Sequence, residues 1–396
     1  MLYRKMPKTQ DELSILGFGC MRLPHKDGRI DEERAAQQIR HSIDHGVNYL
    51  DTAWRYHGGE SEPFVGRTLT GGYRERVKLA TKLPAWLVKN RGDMDRFLDA
   101  QLQKLAASRI DYYLVHSLNG NNWDRVAALG VGEFLERAKS DGRIVNAGFS
   151  FHGIREDFKR IVDAYPWSFC QIQYNYLDEE QQAGTEGLKY AASKGLGVIV
   201  MEPLRGGMLA ASPQPPAIDA LWREAERGRS PAEWALRWVW NHPEVTVALS
   251  GMNDEAQVEE NLRTASNAYP GSLPPAEVDL IGRVARKYRE IMKVACTGCG
   301  YCQPCPSGVD IPGSFDAFNA LHTFGNQEAR FLYVLRGCGA LSGQPSYASQ
   351  CSHCRDCVQK CPQGLEVPEL LEEVVREFEA EGVGEREAMV RRFFEL

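Results

Sequence analysis

The chain has 396 residues, more than the roughly 250 of one (β/α)8 barrel and fewer than two large domains need. Apolar residues at 43% and charged residues at 25% are ordinary for a globular protein, and 47 Lys+Arg against 53 Asp+Glu leave a net charge of −6. That balance offers no polybasic face, so no nucleic-acid partner is expected, and no apolar run of about 18 residues exists to span a membrane as a helix.

In chain order, residues 1–8 carry positive charge with no apolar stretch behind them, so no secretory signal is expected and the cytoplasm is the expected compartment. Tyr3–Asp11 is short and polar and predicts a hairpin beneath a barrel floor. Eight strands are predicted: Leu13–Leu23, Val47–Ala53, Val77–Leu83, Asp111–Ser117, Ile144–Ser150, Phe169–Asn175, Gly197–Pro203 and Thr246–Met252. Between them apolar residues recur at helical spacing, as in Met94–Ala107 and Trp123–Lys139. Strands such as Gly197–Met201 are nearly continuous in apolar residues, as in a sheet buried on both faces. Eight such units predict an α/β fold, a (β/α)8 TIM barrel. A doubly wound sheet is the alternative, but the Gly-x-Gly-x-x-Gly turn it usually offers after its first strand is missing.

Helices at Ala217–Arg227 and Pro231–Asn241 precede the last strand, and Tyr269–Pro275 reads as a domain joint. The expected domains are therefore 1–275 and 276–396, the second opening with a helix from Ala276 to about Val294. Val367–Leu396 predicts a charged amphipathic helix that docks one apolar face, with a dimer contact as the lesser reading.

In a barrel of this kind reactive groups stand at the C-terminal ends of the strands. Those ends present Asp51, Lys82 and His116, with Tyr56 five residues past Asp51 in a loop that can fold over the mouth. Singly, each has a bland reading: a helix N-cap, a surface lysine, a core histidine. Together they place four titratable groups on one rim.

At this point the chain resembles the aldo/keto reductases over most of residues 1–268. The resemblance rests on Gly17-Phe-Gly-Cys-Met-Arg22, Asp51-Thr-Ala-Trp-Arg-Tyr56, Gly59-Glu-Ser-Glu62, Ala80-Thr-Lys82 and Asp111-Tyr-Tyr-Leu-Val-His116. It continues through Gly148-Phe-Ser150, Gln171, Asn175, Pro203-Leu-Arg-Gly-Gly207, Ser250-Gly-Met252 and Gln257 with Glu260-Asn261. It implies a catalytic tetrad of Asp51, Tyr56, Lys82 and His116, with Tyr56 as general acid/base. A free phenol has a pKa of about 10. An ammonium about 4 Å away contributes on the order of 4 kcal/mol at an effective dielectric of 20, enough to bring Tyr56 toward neutrality.

The resemblance also implies a nicotinamide dinucleotide across the mouth: NADP, with NAD as the alternative. Gly19, Cys20 and Met21 would border it, Ser150 and Gln171 would hold its carboxamide, and Met201 would lie under its ring. The loop Leu204–Gly207, with Gly206, would wrap the pyrophosphate beside Ser250 and Gly251, and Gln257, Glu260 and Asn261 would hold the adenosine. Three positions depart from the family: Met201 or Glu202 stands where an aromatic is common, His152 stands where a carboxamide is common, and Met252-Asn-Asp-Glu255 carries two acids and no base. A 2′-phosphate prefers a guanidinium or ammonium.

Nine of the eleven cysteines follow residue 295. Eight form two runs, Cys296-x2-Cys299-x2-Cys302-x2-Cys305-Pro306 and Cys351-x2-Cys354-x2-Cys357-x3-Cys361-Pro362. A disulfide framework does not suit a cytosolic chain. Zinc usually takes two separated Cys-x2-Cys pairs, so zinc or a single cluster is the alternative to two 4Fe–4S clusters. The runs resemble two-cluster bacterial ferredoxins, which implies Cys296, Cys299, Cys302 and Cys361 on one cluster and Cys351, Cys354, Cys357 and Cys305 on the other. Helical Ile311–Gly337 between the runs resembles a small α-helical ferredoxin-like domain. Cys338, Cys20 and Cys170 read as packing residues.

The expected function is hydride transfer between NAD(P)H and a small carbonyl or alcohol, with accessory clusters. Hydride carries two electrons and a cluster passes one, so structural or regulatory clusters rank above electron transfer in turnover. The alternatives are a redox sensor that binds nicotinamide as a signal, and a barrel fed with electrons by a ferredoxin or flavoprotein partner. Met21, Trp54, Arg55, His57 and Tyr174 are expected around the substrate.

Overall fold

Eight short apolar strands close into one barrel in this computed structural model, which describes residues 1–294, 296, 302–340, 342–361, 364–380 and 382–394. The chain forms two compact units, Met1–Ala210 with Arg229–Val278, and Ala211–Gly228 with Asp279–Leu396. The segment Ala211–Gly228, read from sequence as part of the first domain, packs within the second unit.

The first unit opens with an antiparallel hairpin, β1 (Tyr3–Lys5) with β2 (Glu12–Ser14), followed by the first barrel strand, β3 (Leu16–Gly19). The single predicted strand Leu13–Leu23 is thus two, because the chain leaves the hairpin and enters the barrel wall at Ile15. A small hairpin, β4 (His25–Lys26) with β5 (Arg29–Ile30), precedes α1 (Glu32–Asp44). The remaining barrel strands are β6 (Tyr49–Asp51), β7 (Lys78–Leu83), β8 (Ile110–Leu118), β9 (Ile144–Phe151), β10 (Phe169–Gln173), β11 (Gly197–Met201) and β12 (Val245–Ser250). They pair in parallel in that order, and β12 closes on β3.

Crossover helices clothe the barrel: α2 (Ser61–Thr68), α3 (Arg91–Lys104), α4 (Gly120–Ala128), α5 (Val131–Ser140), α6 (Arg155–Ala164) and α7 (Gly184–Ser193). After α8 (Pro216–Trp222), which belongs to the second unit, come α9 (Pro231–Trp240) and α10 (Glu255–Ala265). The predicted helix Trp123–Lys139 is α4 plus α5, broken at Gly130, whose φ of 81° a side chain would resist. Asp31 caps α1 and Ser230 caps α9, each accepting a first-turn N–H.

The barrel interior is packed, not a pore. Tyr49, Ala80, Tyr112, Leu114, Phe169, Ile199 and Val247 fill it, and Met6 and Leu13 from the first hairpin join the same cluster. Gly197 makes the Met6 plug possible: a Cβ there would stand 1.7 Å from the Met6 sulfur. Burying such a side chain contributes about 1.5–3 kcal/mol.

The second unit is helical. Besides α8, its helices are α11 (Pro275–Ile291), which the unit boundary crosses, α12 (Ile311–Phe324), α13 (Ala329–Gly337), α14 (Asp356–Lys360), α15 (Val367–Phe378) and α16 (Val383–Phe394). The predicted stretch Ile311–Gly337 breaks at Gly325, a left-handed C-cap with φ 64°. Phe318, Tyr333 and Phe378 form its aromatic core, with Tyr333 5.0 Å from Phe378 and Phe318 6.1 Å from it. Among the described residues no helix is long and apolar enough to cross a membrane.

Candidate active site

Strand register assembles the rim. Asp51 ends β6, flanked by Gly19 of β3 and Ala80 of β7. Lys82 lies one residue before the end of β7, and His116 stands near the end of β8. Tyr56 opens a tight turn, Tyr56–Gly59, that follows β6 and leads into α2. Asp51 is no N-cap and Lys82 no surface lysine, for they are 2% and 1% exposed.

Lys82 Nζ has three protons and three acceptors. It donates to Asp51 Oδ1 at 2.5 Å, to the Thr52 carbonyl at 2.8 Å and to the Tyr56 hydroxyl at 3.2 Å. Because the phenol oxygen accepts from Lys82, the phenol's own proton points elsewhere. The Tyr56 and His116 rings stand edge to face with centroids 6.3 Å apart, and Trp86 lies 5.1 Å beyond His116.

Burial pulls the Lys82 ammonium down, but Asp51 and then Tyr56 reverse this and leave it above its ordinary value. Burial pushes the Tyr56 phenol up, and Lys82 offsets only part of that push while Asp51 adds to it. The direction is opposite to the sequence expectation of a lowered phenol. The reason is that the lysine charge is largely compensated by Asp51 while the surrounding protein withdraws much of the phenol from water. His116 is held well below the usual imidazole range, first by burial and then by the charges of Lys82 and His152. It is therefore a neutral imidazole, and its Nδ1 is buried without a hydrogen-bond partner among the described residues.

Parallel pairing also sets Ser150 of β9 opposite Gln171 of β10. Ser150 Oγ accepts the Ser117 N–H at 2.8 Å. Gln171 Oε1 is buried with no partner among the described residues, an orphaned acceptor of the kind a carboxamide N–H satisfies. Met201 is half-buried against the barrel core. Past β11, Leu204 is half-buried, and Gly206 and Gly207 take φ of 67° and 97°. Arg205 holds this loop from beneath, donating to Asp178 Oδ2 at 3.1 Å, an oxygen that also accepts from Asn175 and Gln173.

Ser250 accepts from Asn261 Nδ2 at 3.0 Å, and Gln257 Oε1 accepts the Asn253 N–H. Glu260 is half-buried on the same helix, α10. A Cβ on Gly251 would stand 3.0 Å from Arg22, and one on Gly206 would stand 3.2 Å from the Arg22 guanidinium, so Arg22 runs along both glycines. At the start of α10, Arg34 of α1 pairs with Glu255 and Asp254, and Gln38 adds a bond to Glu255 at 3.0 Å. Cys20 is buried, and burial pushes its thiol well up; Met21 is 59% exposed.

Of the residues expected around a substrate, Trp54 packs on Phe97 and under the Lys104 ammonium. Arg55 is half-buried. His57 is occupied: its Nδ1 accepts from His25 Nε2 at 2.7 Å, and its Nε2–H donates to the Cys20 carbonyl at 3.0 Å. The Leu23 N–H lies farther from that nitrogen, at 3.4 Å, so the carbonyl contact sets the tautomer. Tyr174 is not at the mouth. It stacks on Trp238 and His242 and bonds Thr185, because its strand has ended and its ring turns onto α9.

In the second unit no disulfide joins the described cysteines, and the Cys351 and Cys354 thiols bear on Cys357, so these three lie close together. Asn319 grips Val294, donating to its carbonyl at 2.7 Å and accepting its N–H at 2.8 Å, two residues before Cys296. Cys305 N–H donates to Gln303 Oε1, and Ser307 Oγ donates to Ser352 Oγ at 2.7 Å, tying the end of the first run to the start of the second. Cys302, Cys305 and Cys361 are half-buried and Cys354 is exposed, while Cys299 lies outside the described residues. Among the described residues no three ligating side chains stand ready for a single metal ion. An all-thiolate donor set in this spacing fits a multi-iron cluster, whose ligands stand farther apart than those of one ion.

The aldo/keto reductase family model matches residues 15–272, well over half the chain. This chain belongs to the aldo/keto reductase family. A 4Fe-4S dicluster domain model matches residues 295–365, so this aldo/keto reductase carries an iron–sulfur domain that follows the barrel in sequence. It is 24% identical to L-galactose dehydrogenase of Arabidopsis thaliana over 65% of this chain and 86% of that one. It is also 24% identical to the aldo-keto reductase yakc [NADP(+)] of Schizosaccharomyces pombe, over 66% of this chain and 75% of that one. The holo form of an aldo-keto reductase from Bacillus halodurans superposes with a TM-score of 0.61 at 26% identity, covering 72% of this chain and 96% of that one.

Sequence reading missed the supports of this reductase: the Asp178–Arg205 pair, the His25–His57 bond and the buried Glu62. Glu62 and Arg205 lie in the family motifs, yet their partners come from distant strands and helices. No spacing rule connects Glu62 to Gln101.

Proposed function

We propose that this reductase transfers hydride reversibly between a nicotinamide dinucleotide and a small carbonyl or alcohol, with Tyr56 as the proton donor and acceptor. A bound reduced nicotinamide supplies the hydride. The observation that carries the reading is the threefold donation of Lys82, which leaves the Tyr56 proton free to meet a carbonyl oxygen. Tyr56 and neutral His116 both donate to that oxygen and polarise it. As negative charge develops there, Tyr56 passes its proton across, and Lys82 stabilises the phenolate left behind through the bond it already makes. An alkoxide is a far stronger base than a phenolate, so a phenol with a raised pKa is still acid enough. Asp51 keeps Lys82 charged and aimed. In the oxidative direction the phenolate takes the alcohol proton.

Ser150 and the orphaned Gln171 acceptor suit the nicotinamide carboxamide, the Leu204–Gly207 loop with Gly251 suits the pyrophosphate, and Gln257, Glu260 and Asn261 suit the adenosine. The yeast relative is named for NADP(+). For this chain the charge at the start of α10 supports NADH instead. Asp254 and Glu255 outnumber Arg34, which is already bidentate on Glu255. A carboxylate accepts from a ribose 2′-hydroxyl and repels a 2′-phosphate.

The iron–sulfur domain holds two 4Fe–4S clusters in this proposal, Cys296, Cys299, Cys302 and Cys361 on one and Cys351, Cys354, Cys357 and Cys305 on the other. The Ser307–Ser352 bond supports assigning Cys305 to the second. The clusters serve structure or regulation, since hydride transfer needs no one-electron carrier.

The test is anaerobic single-turnover oxidation of bound NADH by a panel of aldehydes, with Tyr56→Phe alongside. The expected result is aldehyde-dependent oxidation that the variant loses while still binding the nucleotide. Nucleotide binding with no oxidation by any aldehyde would reject the reductase reading in favour of a sensor.

A further inference from the structure

Behind Lys82 lies a buried polar cluster that the proton transfer above leaves unused. Glu62, in the first turn of α2, is fully buried. Its Oε1 accepts from Thr81 Oγ1 and from Gln101 Nε2, each at 2.7 Å. The same Gln101 amide donates to the Lys82 carbonyl at 2.9 Å, and Gln101 Oε1 accepts from the Tyr113 hydroxyl at 2.9 Å. The other carboxylate oxygen faces Lys104 Nζ at 3.5 Å. That ammonium stands 3.6 Å from the centroid of the Trp54 ring, and Trp54 packs edge-on against Phe97 at 5.0 Å.

These contacts bracket the loop that carries Tyr56. Trp54 lies two residues before Tyr56, and Glu62 stands in the first turn of the helix, six residues after it. Glu62 also reaches the peptide of Lys82 through one amide. A buried carboxylate is costly, and a well-packed apolar residue at such a place is often no less stable. Its chemistry is what the cluster needs: two acceptor oxygens and a charge, so that Gln101 is oriented and Lys104 is drawn over Trp54 at once. An amide could satisfy Thr81 and Gln101 but would leave Lys104 unpaired.

We propose that Glu62 is a positioning residue for the Tyr56–Lys82 pair, fixing Lys82 from behind through Gln101 and pinning the Tyr56 loop through Lys104 and Trp54. This rests on the proton-transfer reading of the site. Glu62 does not act on the Tyr56 phenol directly: the charges bearing on that phenol are Lys82 and Asp51, with the His116 ring beside it.

The experiment compares Glu62→Gln and Glu62→Ala with the parent full-length protein in three measurements. These are NADH-dependent reduction of 4-nitrobenzaldehyde, thermal melting, and titration of the Tyr56 phenol by difference absorbance against Tyr56→Phe. Glu62→Gln is expected to keep its melting transition, since the amide oxygen still serves Thr81 and Gln101. It is expected to lose at least tenfold in kcat with KM within about twofold, and its Tyr56 titration is expected to move to higher pH as Lys82 drifts away. Glu62→Ala is expected to exceed it in every measure. Parent-like kcat and Tyr56 titration in a folded variant overturn the proposal, as does a kcat loss that tracks melting while the Tyr56 titration stays in place. Should Tyr56→Phe itself retain turnover, the reading of the site fails rather than the role of Glu62.

Discussion

The Lys82 ammonium donates to the Tyr56 hydroxyl oxygen at 3.2 Å, so the phenol is an acceptor on one side and a donor on the other. With Asp51 and the Thr52 carbonyl taking its other two protons, Lys82 cannot turn away. Replacing it by methionine keeps the volume and removes the charge. Lys82→Met is expected to lower kcat by about 10²–10⁴ and to cost about 3–5 kcal/mol of stability, because Asp51 is left buried and unpaired. The double variant Asp51→Asn with Lys82→Met should recover stability but not turnover. Denaturant titration and steady-state kinetics of the single and double variants separate the two effects.

The raised Tyr56 phenol sets a pH window. With its folded pKa above the ordinary value of about 10, the phenol stays protonated through neutrality, and carbonyl reduction should show no loss from ionised Tyr56 until the pH passes about 10. The same shift links to folding: its stabilising contribution is complete below the unfolded phenol pKa and is lost as pH rises through the folded one. In Lys82→Met the limb should move further up, since the cation that favours phenolate is gone. A pH–rate profile whose alkaline limb falls near neutrality contradicts this.

The carboxylates opening α10 predict cofactor choice. NADH is expected to exceed NADPH in kcat/KM by tenfold or more, a difference of about 1.4 kcal/mol. Glu255→Ser releases Arg34 from one of its two carboxylates, leaving Asp254, and should narrow the ratio chiefly by improving NADPH. Equal kcat/KM values for the two cofactors in the parent would count against the charge argument.

His57 holds the turn after Tyr56 in a left-handed conformation, φ 53°, through His25 and the Cys20 carbonyl. A β-branched residue resists that backbone, whereas asparagine accepts it. His57→Val is expected to lose about 1–3 kcal/mol and most turnover, while His57→Asn should retain the fold and the larger part of kcat. Equal behaviour of the two variants would show that backbone conformation at this position is unimportant.

For the clusters, anaerobic iron and sulfide analysis should give two four-iron clusters per chain. Cys305→Ser should lower the iron content to about half by releasing the cluster of Cys351, Cys354 and Cys357. Loss of all iron, or of none, contradicts the proposed sharing of ligands between the runs.

Much of this was open to reading in the linear chain because strand ends and cysteine spacing are local properties. Asp51, Lys82 and His116 each close an apolar run, and a parallel barrel delivers the ends of such runs to one rim. The breaks within Trp123–Lys139 and Ile311–Gly337 were less visible, since Gly130 and Gly325 interrupt helical patterns that remain periodic on either side. Tyr174 was misjudged because an aromatic just past a strand end can turn to the mouth or to an outer helix, and Trp238 settled the matter.

The amino-acid order by itself therefore determined the barrel, the helical cysteine-bearing domain and the identity of the rim residues, because alternation of apolar strands and helices leaves few ways to bury the chain. Only the tertiary structure decided the direction of the Tyr56 shift and the surroundings of Glu62 and His57. Burial, and hydrogen bonds between residues dozens of positions apart, set those energies, and neither exists until the barrel has closed.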